Sequence, residues 1–238
     1  PEKSRIHHGR GAFHHVDFMP MSNAAHQKVK SLTPKQEERR QRILRAARDM
    51  VADHGYEGMV MSQVAERAGV SPTTLYNLYN TKDQLVMESL RELLAQNTRS
   101  VREATVGPGW QYLFTYIKSG AQMVNTAPSY AEAILVALQR ARAGDELVDI
   151  LLEREALGIQ KSLEAMLAAG ELKVGVDTYE LAVALTGVYW SSFIMWNKGL
   201  LRLNMLEHSI QVNFLSLLIS SAAGEARLAL EAELEKLG

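Results

Sequence analysis

The stretch from Met61 to Leu85, MSQVAERAGVSPTTLYNLYNTKDQL, constrains the fold more than any other. It places an obligatory helix stop between two helix starts. Val64, Ala65 and Ala68 supply an apolar stripe at helical spacing, and Gly69 follows where a left-handed residue closes a helix, after which Val70 turns inward. Ser71 is a cap and Pro72 a first-turn residue, since the N–H that proline lacks would be unpaired there anyway. On the second helix Leu75, Leu78 and Tyr79 share one side at i, i+3, i+4 spacing. Thr73, Thr74, Tyr76 and Asn77 are left to face outward or to flank that side. Small hydroxyls, an amide and a phenol suit the floor of a DNA groove: Asn bonds the edge of adenine, Thr meets a thymine methyl or a phosphate, and Tyr reaches backbone oxygen. The pattern predicts a helix-turn-helix with Pro72 to Leu78 as the reading helix.

An Ala-Gly turn before a Ser-Pro start also occurs in helical domains of other kinds, so the flanking residues matter. The segment GYEGMVMSQVAERAGVSPTTLYNLYNTKDQL, Gly55 to Leu85, resembles the N-terminal domain of the tetracycline-repressor (TetR) family of transcriptional regulators. The resemblance is carried by Gly55, Tyr56, Val64, Ala65, Ala68 to Ser71, Thr74 to Tyr76, Tyr79, Lys82 and Leu85, and it covers about residues 33 to 90. It implies an all-α fold, with an N-terminal three-helix helix-turn-helix DNA-binding domain joined to a C-terminal helical bundle for ligand binding and dimerisation. One position departs from the family pattern. Val60 stands where Thr or Ser usually caps the second helix and touches a phosphate, and valine does neither.

The formal net charge of −1 hides an uneven distribution. Lys3, Arg5, Arg10, Lys28, Lys30, Lys35, Arg39, Arg40, Arg42, Arg45 and Arg48 crowd the first 48 residues against Glu2, Asp17, Glu37 and Glu38. A basic front on an acidic body directs one end towards a polyanion. The chain has no cysteine, which excludes disulfides and thiolate zinc sites. No apolar run approaches the ~20 residues of a membrane span, and the start PEKSRIHHGR lacks a secretion signal's apolar core, so a cytoplasmic protein without membrane contact is expected.

Residues 1 to 31 show no helical period and are expected to form a flexible arm, with Met21 a candidate native start. His7, His8, His14 and His15 lack the carboxylates or fixed scaffold of a metal site, and no metal or cofactor is expected. Lys28 and Lys30 are placed to track phosphate or to enter a minor groove, although a solvated basic tail would read the same way. Thr33-Pro34-Lys35-Gln36 opens a helix with a capping box. Thr81-Lys82-Asp83-Gln84 repeats the signal, putting Lys82 in the first turn of a long connecting helix, where it can meet a phosphate. The DNA-binding domain is assigned to 32–90 and the ligand-binding and dimerisation domain to 91–238. The predicted DNA contacts are Lys28, Lys30, Arg39, Ser71, Thr73, Thr74, Tyr76, Asn77 and Lys82.

From Trp110 onward everything reads helical, with breaks at Ala127-Pro128, Gly144, Gly170 to Gly175 and Gly199, and a division at Gly224. The body is rich in aromatic and sulfur side chains. Any one of them is accounted for by a bundle core, but together they suit a cavity for a hydrophobic effector. The candidates are Trp110, Phe114, Met123, Tyr130, Met166, Tyr189, Trp190, Phe193 and Trp196. Leu181, Leu185, Val188 and Ser192 share one face of the penultimate long helix, and Ile210, Phe214, Leu217 and Ser221 one face of the last, which fits either a four-helix homodimer interface or the end of a single core.

A dimeric repressor on a palindromic double-stranded operator, released by a small hydrophobic effector, is the leading expectation. A regulator that needs its ligand to bind DNA, or a ligand-binding module with weak or no operator binding, is the alternative. An enzyme is not expected, because no phosphate loop, HExxH, GxSxG or cysteine nucleophile is present.

Overall fold

The computed structural model describes residues 32–238, all assigned to helices and short connections apart from one isolated bridge between Leu172 and Ala222. The basic arm, with Lys28, Lys30, the paired histidines and Met21, lies outside the described residues.

Helix α1 spans Pro34–Gly58 and opens on the expected capping box: the Gln36 N–H donates to Thr33 Oγ1 at 3.3 Å, and the Thr33 N–H donates to Gln36 Oε1 at 2.8 Å. Its regular geometry breaks at Gly55, where φ is 69°, and one further turn follows. Helix α2, Met61–Ala68, starts at Val60 without any side-chain cap, the structural result of valine at that position. It stops at Gly69, left-handed at φ 65°, where the Val70 N–H donates back to the Ala65 carbonyl at 3.0 Å. Ser71 then caps α3, Pro72–Leu78, by accepting the Thr74 N–H.

Helix α4, Lys82–Ala104, runs unbroken from this head into the body. Its expected capping box is only half formed. Thr81 accepts the Gln84 N–H, but the Gln84 side chain accepts the N–H of Asn80 instead of returning to Thr81. The body comprises α5 (Trp110–Thr126), α6 (Pro128–Arg140), the short α7 (Glu146–Val148), a π-helical turn over Asp149–Glu153, α8 (Arg154–Ala168), α9 (Thr178–Asn197), α10 (Leu203–Ser221) and α11 (Gly224–Glu235).

Two apolar cores result. The first joins α1 to α3 with Leu85, Val86 and Leu90 of α4, and continues into the body through Tyr130, Ile134, Ile150 and Leu151. The second packs α5, α8, α9 and α10 around Leu113, Ile117, Leu163, Leu185, Ile210 and Phe214. Trp190 leans on both. The head is therefore attached to the body twice, by the continuity of α4 and by α6 packing along α1.

Charged groups reinforce the first attachment. Arg40 on α1 donates to Glu88 and Glu92 of α4, each at 2.8 Å, and to Glu37 at 3.1 Å. Partial burial works against the charged form of Arg40, but these hydrogen bonds outweigh it and raise the pKa of the guanidinium. Glu92 responds in kind: burial would raise its pKa, yet the bonds from Arg40, Gln96 and Gln41 hold it below the ordinary value. This arginine is thus spent inside the protein and is not part of a free basic surface.

Candidate functional site

Two places hold side chains that the fold itself does not use. The first is α3. Leu75 is fully buried and Tyr79, just past the helix, nearly so, and these two side chains fix the helix on the head. Thr73, Tyr76 and Asn77 point into solvent, as their spacing required, and Thr74 is half-buried with its hydroxyl against that of Ser71 at 2.8 Å. Leu78 corrects the sequence reading, being 43% exposed instead of sharing the buried side. A two-turn helix needs about one inward residue per turn, and Leu75 and Tyr79 already fill those places.

The other predicted DNA contacts differ in how free they are. The Ser71 hydroxyl is committed to the cap. Lys82 lies over the Tyr56 ring, 4.6 Å from its centroid, and donates to the Tyr56 and Glu57 carbonyls at 2.9 and 3.4 Å, so its ammonium braces the end of α1. Arg39 is half-buried, with its Nε unpaired.

The second place is a half-open chamber of about 220 Å³ lined by α4, α5, α6, the π-helical turn, α8 and α9. Its lining includes Met123, Tyr130, Tyr189, Trp190 and Phe193, five of the side chains expected there. Trp110, Phe114, Met166 and Trp196 are not among the lining residues. Met166 is fully buried in the second core, and the three aromatics pack against that core from its edge. Tyr116 of α5, another of the body's aromatics, also lines it, while sequence reasoning missed Leu90, Leu93 and Leu94 of α4 and Glu155 of α8. A wider cleft of about 680 Å³ adjoins the chamber and carries Arg102 and Lys161, and the two spaces share Thr98, Tyr116, Arg154 and Glu155.

Within the chamber the rings of Tyr189 and Phe193 meet edge to face at 4.8 Å, and Trp190 packs on both. The Tyr130 hydroxyl lies 3.3 Å from that of Ser89 on α4, and burial raises its pKa. Glu155 is buried, and no cation among the described residues pairs with it. Its Oε2 accepts the Trp190 indole N–H at 3.1 Å while Oε1 has no partner, and burial pushes its pKa up to about 8 against the opposing effect of that hydrogen bond.

The predicted dimer faces also need correction. Leu181, Leu185 and Ser192 on α9, and Ile210 and Phe214 on α10, are buried within the protomer, while Val188, Leu217 and Ser221 are half-buried. Leu181, Leu185, Ile210 and Phe214 belong to the protomer's own second core and leave little surface for a second copy. The exposed apolar line of α9 lies on the other side, through Tyr179, Val183, Gly187, Ile194 and Met195.

A short exposed helix held after a left-handed glycine, on a head attached to a chambered helical body, defines a helix-turn-helix regulator. Residues 43–88 match the family model described as bacterial regulatory proteins, tetR family. The chain is 27% identical over 164 residues to the HTH-type transcriptional repressor KstR of Mycobacterium tuberculosis, covering 68% of this chain and 72% of the relative. It is 28% identical over 159 residues to the HTH-type transcriptional activator FasR of Mycolicibacterium smegmatis, covering 60% and 71%. Among solved structures, a TetR transcription regulator from Haloarcula marismortui shares the fold with a TM-score of 0.67 at 17% identity, over 79% of this chain and all of that one. The regulator FadR of Bacillus subtilis in complex with stearoyl-CoA does so with a TM-score of 0.60 at 19% identity, over 73% and 97%. The head of this chain thus carries the DNA-binding domain of the tetR family, and the whole shares the fold of solved TetR regulators.

Proposed function

We propose that this protein is a dimeric repressor that reads a palindromic operator with α3 and is released by a small hydrophobic effector bound in the chamber. The observation that carries the reading is the contrast on α3, where Leu75 is fully buried while Thr73, Tyr76 and Asn77 have no role in packing. Exposed polar groups on a helix so firmly seated suit direct contact with base edges. The head is assigned to residues 32–90 and the body to 91–238, with the head's core continuing into the body.

The same core supports the coupling. Tyr130, Ile134, Ile150 and Leu151 line the chamber and also belong to the core that holds α1 to α3. An effector that spreads these side chains moves α6 against α1 and α4 against α5, which alters the spacing of the two reading helices. Release requires that the effector bind the DNA-incompetent arrangement more tightly, and DNA must then weaken effector binding by the same factor. The similarity to an activator as well as a repressor keeps a second reading in play, in which ligand favours the DNA-bound arrangement.

The partner copy is assigned to the outward stripe of α9, Val183, Gly187, Ser191 and Ile194, together with Met205, Ser209, Val212 and Ser216 of α10. Small residues on both helices permit close approach of a two-fold mate. Replacing Val183 and Ile194 together by aspartate, both already exposed, is expected to give a folded monomer in native mass spectrometry that has lost tight operator binding. A dimer that survives this change would place the interface elsewhere.

The function itself is tested by selecting binding sites from a random duplex library with the full chain. A two-fold symmetric site, with half-sites one helical turn or a multiple apart and with affinity falling steeply as salt rises, is the expected result. Recovery of no sequence preference, with and without chamber ligands, would favour a ligand-binding module that does not read DNA.

A further inference from the structure

The wall between the chamber and the adjoining cleft holds a carboxyl that the fold leaves half satisfied. Glu155 stands in the first turn of α8, directly after the π-helical turn. Such turns recur at functional sites because they re-aim the side chains around them. Its neighbour Arg154 lines the same space but bonds Asp149 at 3.0 Å, and no cation among the described residues pairs with Glu155. Tyr116 from α5 and Tyr189 from α9 line the same space as this carboxyl. Burial, and then the charge that Glu155 would carry, keep both phenols protonated well beyond the ordinary range. Among the tyrosine hydroxyls of the chamber, only that of Tyr130 has a hydrogen-bond partner among the described residues.

We propose that Glu155, flanked by Tyr116 and Tyr189, is the polar anchor of the chamber and selects an effector whose apolar body carries an uncharged acceptor oxygen, such as a ketone, ester, lactone or thioester carbonyl. The inference rests on the reading of the chamber as an effector site. The indole N–H occupies Oε2, so the acid's proton resides on Oε1, which becomes a buried donor lacking an acceptor. Two further phenol O–H donors, those of Tyr116 and Tyr189, line the same chamber. A carbonyl oxygen supplies what this wall lacks without importing charge. An alkylammonium would instead require the acid to ionise away from water, and an alkyl carboxylate would bring a second acid to the first.

The groups facing Glu155 also set the pH behaviour. Tyr116 and Tyr189 stay neutral in the relevant window, Arg154 lines both spaces, and Arg102 and Lys161 lie along the adjoining cleft. Because the acid's pKa is raised, its donor form is present below about pH 8 and lost above it.

Calorimetric titration of the full chain with octan-2-one, octylammonium chloride and n-octane tests the assignment. Octan-2-one is expected to bind at least about tenfold more tightly than octane, the effect of one satisfied hydrogen bond. Its affinity should fall about tenfold per pH unit above 8, as single-proton linkage requires. Glu155→Leu should bind the ketone no better than octane. Glu155→Gln, whose amide still donates and does not titrate, should keep the ketone within a few-fold and lose the pH dependence. Equal binding of ketone and octane that is indifferent to both variants would overturn the anchor while leaving the chamber as an effector site. Preference for octylammonium with proton release, abolished in Glu155→Gln, would overturn the choice of an uncharged ligand. Failure of all three probes to bind would remove the effector site and the anchor with it.

Discussion

Exchanging Thr73, Tyr76 and Asn77 together for alanine will abolish selective operator binding without unfolding the protein. All three side chains are exposed, and none makes a hydrogen bond among the described residues. Surface changes of this kind usually alter stability by less than about 0.5 kcal/mol. A well-placed base contact discriminates by about 1–3 kcal/mol, so losing several together should weaken operator binding by roughly a hundredfold or more. The measurement pairs an operator titration at fixed salt with thermal unfolding of the same preparation. An unchanged Tm with unchanged operator affinity would mean that α3 is not the reader. Non-specific binding at low salt should persist in the variant, because phosphate contacts do not depend on these groups.

Phe214→Ala is expected to cost about 3–5 kcal/mol of stability, as truncation of a fully buried phenylalanine does. Phe214 has no exposure and lies at the centre of the second core, with Leu185 and Ile210 equally enclosed. The outcome separates two roles that α10 could have. If Phe214 packs within its own protomer, the variant loses stability at every protein concentration and its denaturant midpoint falls. If it lay at a subunit contact, the variant would keep a folded protomer and mainly shift the dimer equilibrium. The aspartate pair on α9 should give the opposite pattern, with stability retained and association lost.

The phase of α9 and α10 shows where the sequence stopped being informative. Both helices are apolar round nearly their whole circumference, so Leu185 and Val183 look alike from spacing alone, as do Phe214 and Val212. Periodicity marks the helices but cannot say which stripe belongs to which partner, so the stripe through Leu185 and Phe214 fitted a dimer interface and a single core alike. The head was legible for the opposite reason. Thr33, Gly69, Ser71 and Pro72 each act on their immediate neighbours, and such caps and stops need no tertiary knowledge. Leu78 was misplaced because a helix as short as α3 has fewer inward positions than an i, i+3, i+4 count assumes. Lys82 was legible as a first-turn cation, but its pairing with the Tyr56 carbonyl depends on a contact between distant parts of the chain. In the chamber, Tyr189, Trp190 and Phe193 stood out by type. Glu155 did not, because a glutamate amid REALGIQKSLEAM has the spacing of an ordinary solvated helix residue, and only the packing of α5 and α9 over it makes it distinctive.

The first core's passage into Tyr130, Ile134, Ile150 and Leu151 limits how this protein can be recombined. A chimera joined at about residue 90, carrying the operator preference of one regulator on the ligand response of another, would strip the α1 to α3 bundle of part of its floor and leave those apolar side chains facing an unmatched surface. Grafts that carry α6 and the Asp149–Glu153 turn along with the head keep that floor intact, so the natural unit of exchange is discontinuous in sequence.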